Sequence, residues 1–130
     1  MSYLIDSHIL WWSVTEPERL PSNVLNILED AGIRVVTSAA TLWELGIKIA
    51  AARLGPPDAL EEVVAASRFD MLPVMREHAL AAARLPFHHS DPFDRMLTAQ
   101  AVVENLTLIT ADRRLSEYAA SVRLLVISPR

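Results

Sequence analysis

Four carboxylates stand out as residues that could do chemistry, because each lies shortly after a predicted strand or within a predicted helix that could bring it to the same place. They are Asp6, Glu44, Asp94 and Asp112. Carboxylate oxygens are the ligands that Mg²⁺ prefers, and a few of them, together with water and substrate phosphate, complete its coordination shell. Carboxylates gathered in one cleft repel each other and take up protons unless a cation neutralises them. Together the four acids therefore predict a site for a hard divalent cation.

Two of these acids also have simple structural interpretations. Asp6 could cap the helix that begins at about Ser7, although Ser7 could cap that helix equally well. Glu44 could form an exposed i,i+4 pair with Lys48, which stabilises a helix by a few tenths of a kcal/mol. Considered alone, the exposed pair is the stronger interpretation of Glu44. Its helix is apolar on most other positions, however, so this narrow polar stripe could instead line a cleft.

The other two acids lie near predicted helix starts. Asp91 before Pro92 is a strong helix start, with an N-cap followed by proline at the first helical position, so we assign Asp91 mainly to capping. Asp94 then falls in the first turn, where the helix dipole favours its ionised form, which a metal ligand requires. Asp112 follows an apolar strand by three residues and could cap the next helix.

The elements that must position these acids alternate along the chain. Short apolar runs predict strands at residues 3–5, 33–36, 71–72, 106–109 and 124–127. Helix signals predict helices at about 7–12, 22–32, 39–52, 58–66, 76–84, 92–104 and 112–118, with Ser22 and Asp58 as N-caps. Continuous apolar strands alternating with helices indicate an α/β fold with a mostly parallel sheet. Active sites in such sheets lie beyond the carboxyl ends of the strands, where the strand order reverses.

Composition sets the limits of the interpretation. The 130 residues suit one domain over 1–130, and the 52% apolar content can form a core. No apolar run approaches the roughly 18 residues that span a bilayer, and the N-terminus lacks a basic segment, so we expect a cytoplasmic protein without a membrane partner. The absence of cysteine excludes thiolate metal sites and cysteine nucleophiles. A net charge of −4 is unusual for a nucleic-acid enzyme, unless metal ions or local arginines offset it.

At this point four segments, in order, resemble the motifs of a known family. Asp6-Ser7 after the first strand looks like the opening of a PIN domain, and residues 38–48 resemble the segment that carries its second acid. Residues 85–97, with the run Asp91-Pro92-Phe93-Asp94-Arg95, are similar to the third-acid segment of one VapC subgroup. Thr110-Ala111-Asp112 looks like the last motif. The chain thus resembles a VapC-type ribonuclease toxin of a type II toxin–antitoxin system.

The resemblance implies a PIN-like fold, with a central parallel sheet of four or five strands flanked by helices. It implies that the four acids hold Mg²⁺ or Mn²⁺ and that a metal-activated water hydrolyses RNA phosphodiester bonds. Ser7 and Thr110 would orient the carboxylates or a metal-bound water. The resemblance also implies a homodimer that a cognate antitoxin protein holds inactive.

Basic and histidine residues near the acids each have two interpretations. Arg95, Arg113 and Arg114 could bind RNA phosphates or only balance the local carboxylates. His88 and His89 could contact RNA, but two polar residues on a surface loop are the favoured interpretation.

Two other functions stay open. A PIN-like domain without catalysis could act only through a protein partner, although a pure binding module has no use for four clustered acids. A phosphatase with an aspartyl nucleophile could use a related sheet, but that chemistry usually needs a second aspartate two residues after the first, where this chain has His8.

Overall fold

Five short parallel strands form the centre of the protein in a computed structural model that describes residues 1–51 and 54–130. The spatial order is β3-β2-β1-β4-β5, and every neighbouring pair is parallel. This sheet confirms the predicted α/β class and the predicted number of strands. The strands are β1 (Ser2–Ile5), β2 (Arg34–Ser38), β3 (Asp70–Leu72), β4 (Thr107–Thr110) and β5 (Leu124–Val126).

Helices connect the strands, and their bounds agree with the predictions to within a few residues. The predicted helix over 39–52 is observed from Ala39 to Ala50, and its expected last residue, Ala52, lies outside the described residues. Two short 3₁₀ helices cover Pro17–Arg19 and Arg113–Tyr118. The α-helices are α1 (Ser7–Thr15), α2 (Ser22–Glu29), α3 (Ala39–Ala50), α4 (Ala59–Ala66), α5 (Arg76–Arg84) and α6 (Pro92–Val103).

Two predicted helix caps differ from the structure. Ser22 is the first residue of α2, and Pro21 takes the cap position, where it has no side-chain acceptor to offer. Asp58 does take the cap position of α4, but its side chain makes no capping hydrogen bond. The fixed φ of proline defines the entry to α2 without a side-chain hydrogen bond.

The reversal of strand order falls at β1, in the middle of the sheet. The chain passes from β1 to β2 and β3 on one side, then crosses to β4 and β5 on the other. In register, Ile5 of β1 pairs with Thr37 of β2 and with Ile109 of β4. The carboxyl ends of β1, β2 and β4 therefore meet at one edge, which is where α/β sheets bind ligands.

Successive residues of a strand point to opposite faces, so the sheet separates two apolar cores. On one face Ile5 and Ile109 pack with Leu10 of α1 and Leu45 of α3. The opposite face is built around Leu4, Val36 and Leu108, which pack with Leu97 of α6 and with Tyr118. Both faces are thus covered by helices, and the carboxyl edge between them is left for polar residues. Among the described residues, no helix is long and apolar enough to cross a membrane.

Candidate metal centre

Asp6 lies at the centre of the carboxyl edge, directly after β1, and is only 3% exposed. Its Oδ1 accepts a hydrogen bond of 3.0 Å from the backbone N–H of Ile9, so Asp6 itself is the N-cap of α1. The expectation that Ser7 could replace it as a cap is wrong, because Ser7 is the buried first residue of that helix. The second carboxylate oxygen of Asp6, Oδ2, accepts a hydrogen bond of 2.6 Å from the hydroxyl of Thr110 at the end of β4.

Thr110 joins two of the predicted site acids. Its Oγ1 donates to Asp6 and accepts a hydrogen bond of 3.0 Å from the backbone N–H of Asp112. Asp112 in turn caps the 3₁₀ helix that follows, accepting from the N–H of Arg114 at 3.0 Å. The buried hydroxyl thereby fixes the start of the Asp112 loop relative to the end of β1.

Helix α6 supplies the next acid. Asp91 caps it as expected, with its Oδ1 accepting from the N–H of Phe93 at 2.9 Å, and Pro92 is the first helical residue. Asp94 therefore lies in the first turn of α6. Its Oδ2 lies 2.8 Å from Nε2 of His89, and the same nitrogen lies 3.4 Å from Oδ2 of Asp112.

His89, Asp94 and Asp112 form one group of ligand atoms. One atom from each residue lies within 4.8 Å of the other two, which is the only such group of three among the described residues. The prediction for His89 as a polar residue of a surface loop is wrong, since it is 6% exposed. His88 does lie on the surface, next to Tyr118 and Glu117. Nothing in the sequence distinguishes the two histidines, because only the folded loop turns one inward.

The electrostatics of the three aspartates differ sharply. Burial raises the pKa of Asp6 above its usual value despite the hydrogen bond from Thr110. Burial also raises the pKa of Asp94 to about 7, helped by the negative charges of Asp91 and Asp6. Asp112 is the opposite case, since hydrogen bonds from Arg114 lower its pKa to about 2. Two acids that resist ionisation beside one that is fully ionised favour the binding of a cation, which stabilises all three charges.

Glu44 is buried on α3, at 7% exposure, so the interpretation as an exposed surface pair is wrong. The expected pair with Lys48 does exist, with Nζ of Lys48 3.3 Å from Oε2 of Glu44. Within residues 1–51 and 54–130, neither Glu44 nor Asp6 belongs to the three-residue ligand group. The structure thus brings two of the four predicted acids, Asp94 and Asp112, to ligand distance and adds His89. Asp6 is connected to Asp112 by the hydrogen bonds of the Thr110 hydroxyl.

Arg95 makes several hydrogen bonds within the fold. Its guanidinium donates to the backbone carbonyls of Ala82, Leu85 and Pro86 and to the hydroxyl of Tyr118. These bonds occupy both terminal nitrogens, so the side chain holds the loop before α6 in place. Arg95 thus has a structural role in the fold, and its contact with RNA phosphate stays a prediction.

The other two arginines stay closer to expectation. Nε and Nη2 of Arg114 hold both oxygens of Asp112, at 3.1 and 2.9 Å, as a charge-balancing residue would. The Arg114 side chain is 70% exposed, which leaves its other face open to solvent. Arg113 donates to the hydroxyl of Ser128 on the surface.

The donor set fits a divalent cation, because two carboxylates and an imidazole converge where burial disfavours unneutralised charge.

Comparison with known proteins decides the family. The model of the family described as "PIN domain" matches residues 3–121. The chain belongs to the PIN domain family. No curated protein matches it by sequence.

Solved structures share this PIN fold over nearly the whole chain. VapBC2 from Rickettsia felis, bound to a promoter DNA fragment, is similar with a TM-score of 0.75 at 16% identity, covering 98% of this chain and 100% of that one. FitAcB from Neisseria gonorrhoeae is 25% identical, with a TM-score of 0.66 and coverage of 95% and 96%. VapBC-5 from Mycobacterium tuberculosis, of a family of toxin–antitoxin systems, is 22% identical, with a TM-score of 0.61 and coverage of 97% on both sides.

Proposed function

We propose that the protein is a metal-dependent endoribonuclease, the toxin component of a VapBC-type toxin–antitoxin system, with residues 1–130 forming one PIN domain. The observation that carries the proposal is the convergence of Asp94 and Asp112, with His89, at the carboxyl edge of the sheet beside Asp6. The PIN family match and the fold shared with toxin–antitoxin complexes support the same role.

In this proposal Asp6, Glu44, Asp94 and Asp112 are the acids of the Mg²⁺ or Mn²⁺ site, and Asp94 and Asp112 are the two that already lie at ligand distance of each other. A bound cation of this kind supplies Lewis-acid chemistry, polarising a phosphodiester and lowering the pKa of an attacking water. Thr110 keeps Asp6 oriented through its 2.6 Å hydrogen bond. Ser7, at the start of α1, would orient a carboxylate or a metal-bound water at the same edge of the sheet. Arg114 keeps Asp112 ionised and oriented.

RNA would approach over the exposed arginines. Arg114 and Arg113 lie directly after Asp112 on the surface, where guanidinium groups can contact backbone phosphates without reading sequence. The net charge of −4 makes bound cations part of this substrate site, because they offset the acids that would repel phosphate.

A protein partner is supported by exposed apolar side chains near the site. Trp43 is 67% exposed and stacks edge-on against Phe93 at 5.3 Å, and Phe87 is 79% exposed. Large exposed aromatics are enriched at protein interfaces. We propose that the chain forms a homodimer and binds a cognate antitoxin protein in the cytoplasm.

The structure disfavours the phosphatase alternative. A nucleophilic carboxylate needs an accessible oxygen, whereas Asp6 is only 3% exposed and both of its oxygens accept hydrogen bonds. The binding-module alternative differs only in activity, so an activity assay must distinguish it.

The test is cleavage of structured and single-stranded RNA by the purified protein in Mg²⁺, with EDTA as the metal-free arm. Asp94→Asn should abolish cleavage, because it removes a ligand charge from the cluster. Asp70→Asn, an exposed acid of β3, is the matched control and should cleave like the wild type. If the wild-type protein leaves every RNA intact in Mg²⁺, and also when Mn²⁺ replaces it, while binding a protein partner, the binding-module alternative is correct.

A further inference from the structure

We propose that His89 is a direct metal ligand through Nε2, and that this nitrogen makes the site prefer Mn²⁺ over Mg²⁺. The inference rests on the proposed function, since it specifies the cation of that same site. It starts from a residue that the four-acid motif does not include.

The first support is spacing. Nε2 of His89 lies 2.8 Å from Oδ2 of Asp94 and 3.4 Å from Oδ2 of Asp112. Adjacent ligands of an octahedral ion with bonds of about 2.1 Å are separated by roughly 3 Å, the edge of the octahedron. One observed separation is slightly shorter than that edge length and the other slightly longer, so a cation can bind all three atoms with small side-chain shifts.

The second support is preorganisation. His89 is almost fully buried, at the end of a loop held by several independent contacts. Arg95 donates to the carbonyls of Leu85 and Pro86, and the N–H of His88 donates to the hydroxyl of Tyr118 at 3.3 Å. Tyr118 is itself buried and donates to the Pro86 carbonyl at 2.8 Å. The imidazole is therefore held at the carboxylates by the fold.

The third support is ligand chemistry. Mg²⁺ binds oxygen almost exclusively and releases its water reluctantly, whereas imidazole suits first-row transition metals. A site with two carboxylates and one imidazole keeps the oxygen ligands that both ions accept and adds one that only the transition metal favours. The expected consequence is a higher ratio of Mn²⁺ to Mg²⁺ affinity than carboxylates alone would give.

A positioning role is the competing explanation. His89 could instead donate a hydrogen bond to Asp94 through Nε2 and only orient that carboxylate. Such a role would strengthen the binding of both cations equally, and a glutamine side chain could restore it by donating a similar hydrogen bond. Nitrogen coordination could not be restored in that way, because an amide nitrogen is not a metal ligand at neutral pH.

The experiment measures binding of MnCl₂ and MgCl₂ by calorimetry, and pulsed electron paramagnetic resonance of bound Mn²⁺, in the full chain without RNA. The variants are His89→Gln, His89→Ala and the neighbouring control His88→Ala. Labelling histidine with ¹⁵N in the wild type identifies the coordinating nitrogen without any substitution. These readouts do not depend on nuclease activity.

We expect nitrogen modulation from bound Mn²⁺ in the wild type and His88→Ala, a change of that signal with ¹⁵N-histidine, and its loss in both His89 variants. The Mn²⁺-to-Mg²⁺ affinity ratio should fall about tenfold or more in His89→Gln, a loss at least as large as that of an outer-shell partner. Bound Mn²⁺ without nitrogen modulation, or an unchanged ratio in His89→Gln, would overturn the role of His89 and leave the metal site standing. Failure of the wild type to bind either cation would overturn the proposed function as well.

Discussion

The hydroxyl of Thr110 donates a 2.6 Å hydrogen bond to Oδ2 of Asp6, a residue 104 positions earlier in the chain. Oγ1 of Thr110 also accepts a hydrogen bond of 3.0 Å from the backbone N–H of Asp112. One buried side chain thus connects the central strand, its neighbour β4 and the loop that carries a third site residue. Parallel pairing of β1 with β4 makes this connection possible, because it brings the two strand ends to the same edge.

Thr110→Val is expected to reduce cleavage while the protein stays folded. Valine has nearly the same shape but leaves the Asp6 carboxylate and the Asp112 N–H without their shared partner, which costs about 1–3 kcal/mol. The loss also removes a hydrogen bond that lowers the pKa of Asp6. Thermal unfolding and RNA cleavage measured together test this, with Thr107→Val in the same strand as the control. Full activity in Thr110→Val would show that the connection is dispensable.

Asp6→Asn should abolish cleavage without lowering the melting temperature. Burial already raises the pKa of Asp6, so its ionised form costs folding free energy that the neutral amide avoids. Asparagine also keeps an acceptor for the N–H of Ile9, whereas Asp6→Ala loses this cap and about 0.5–2 kcal/mol. Retention of cleavage in Asp6→Asn, with the same metal dependence, would refute the site role of Asp6.

Asp91→Ala should act mainly on stability. It removes the acceptor for the N–H of Phe93, which costs roughly 0.5–2 kcal/mol for a lost N-cap. Cleavage at a permissive temperature should persist, because Asp91 is not one of the proposed metal ligands. Its negative charge raises the pKa of Asp94, so removing that charge favours the ionised form of Asp94 that binds metal. Urea unfolding measures the first effect, and Asp91→Ser should restore most of it. Loss of cleavage at unchanged stability would mean that Asp91 belongs to the catalytic site.

Without metal, stability should fall as the pH rises from about 5 through about 7. The pKa of Asp94 is about 7 in the folded protein, against the ordinary aspartate value of 3.8 that applies to the unfolded chain. The folded state therefore binds more protons throughout this interval. Asp112, whose pKa is lowered to about 2, is ionised in both states within this interval and contributes no slope there. Melting temperatures in EDTA between pH 5 and pH 8, at steps of about one unit, test this interval. Asp94→Asn should make the curve less steep, leaving the contribution of Asp6, whose pKa is also raised by burial. An equally steep curve in that variant would contradict the assignment.

Much of the fold is predictable from this sequence, because its strands are apolar runs that end at recognisable polar residues. Asp6 after residues 3–5 and the Asp91-Pro92 helix start are local signals, and the structure places both as their local chemistry requires. The parallel arrangement follows from the alternation of strands and helices. These features depend on neighbours in the sequence, which is why they can be read from it.

The parts that could not be predicted depend on contacts between distant residues. Helix α3 is apolar on most positions, so its periodicity does not show that Trp43 and Ile47 face outward while Glu44 is buried. His89 is turned inward by a loop that Arg95 and Tyr118 fasten from α6 and the last 3₁₀ helix. A single sequence gives no signal for such long-range side-chain contacts, and here they define the metal-binding group.

The most direct measurement is anomalous diffraction from crystals of the protein soaked in Mn²⁺. A cation at the carboxyl edge of the sheet should give one strong anomalous peak at bonding distance, about 2.2 Å, from carboxylate oxygens of both Asp94 and Asp112. The same peak should be absent from crystals of Asp94→Asn. A structure with Mn²⁺ bound only elsewhere, or with no peak at a concentration that supports RNA cleavage, would contradict the account.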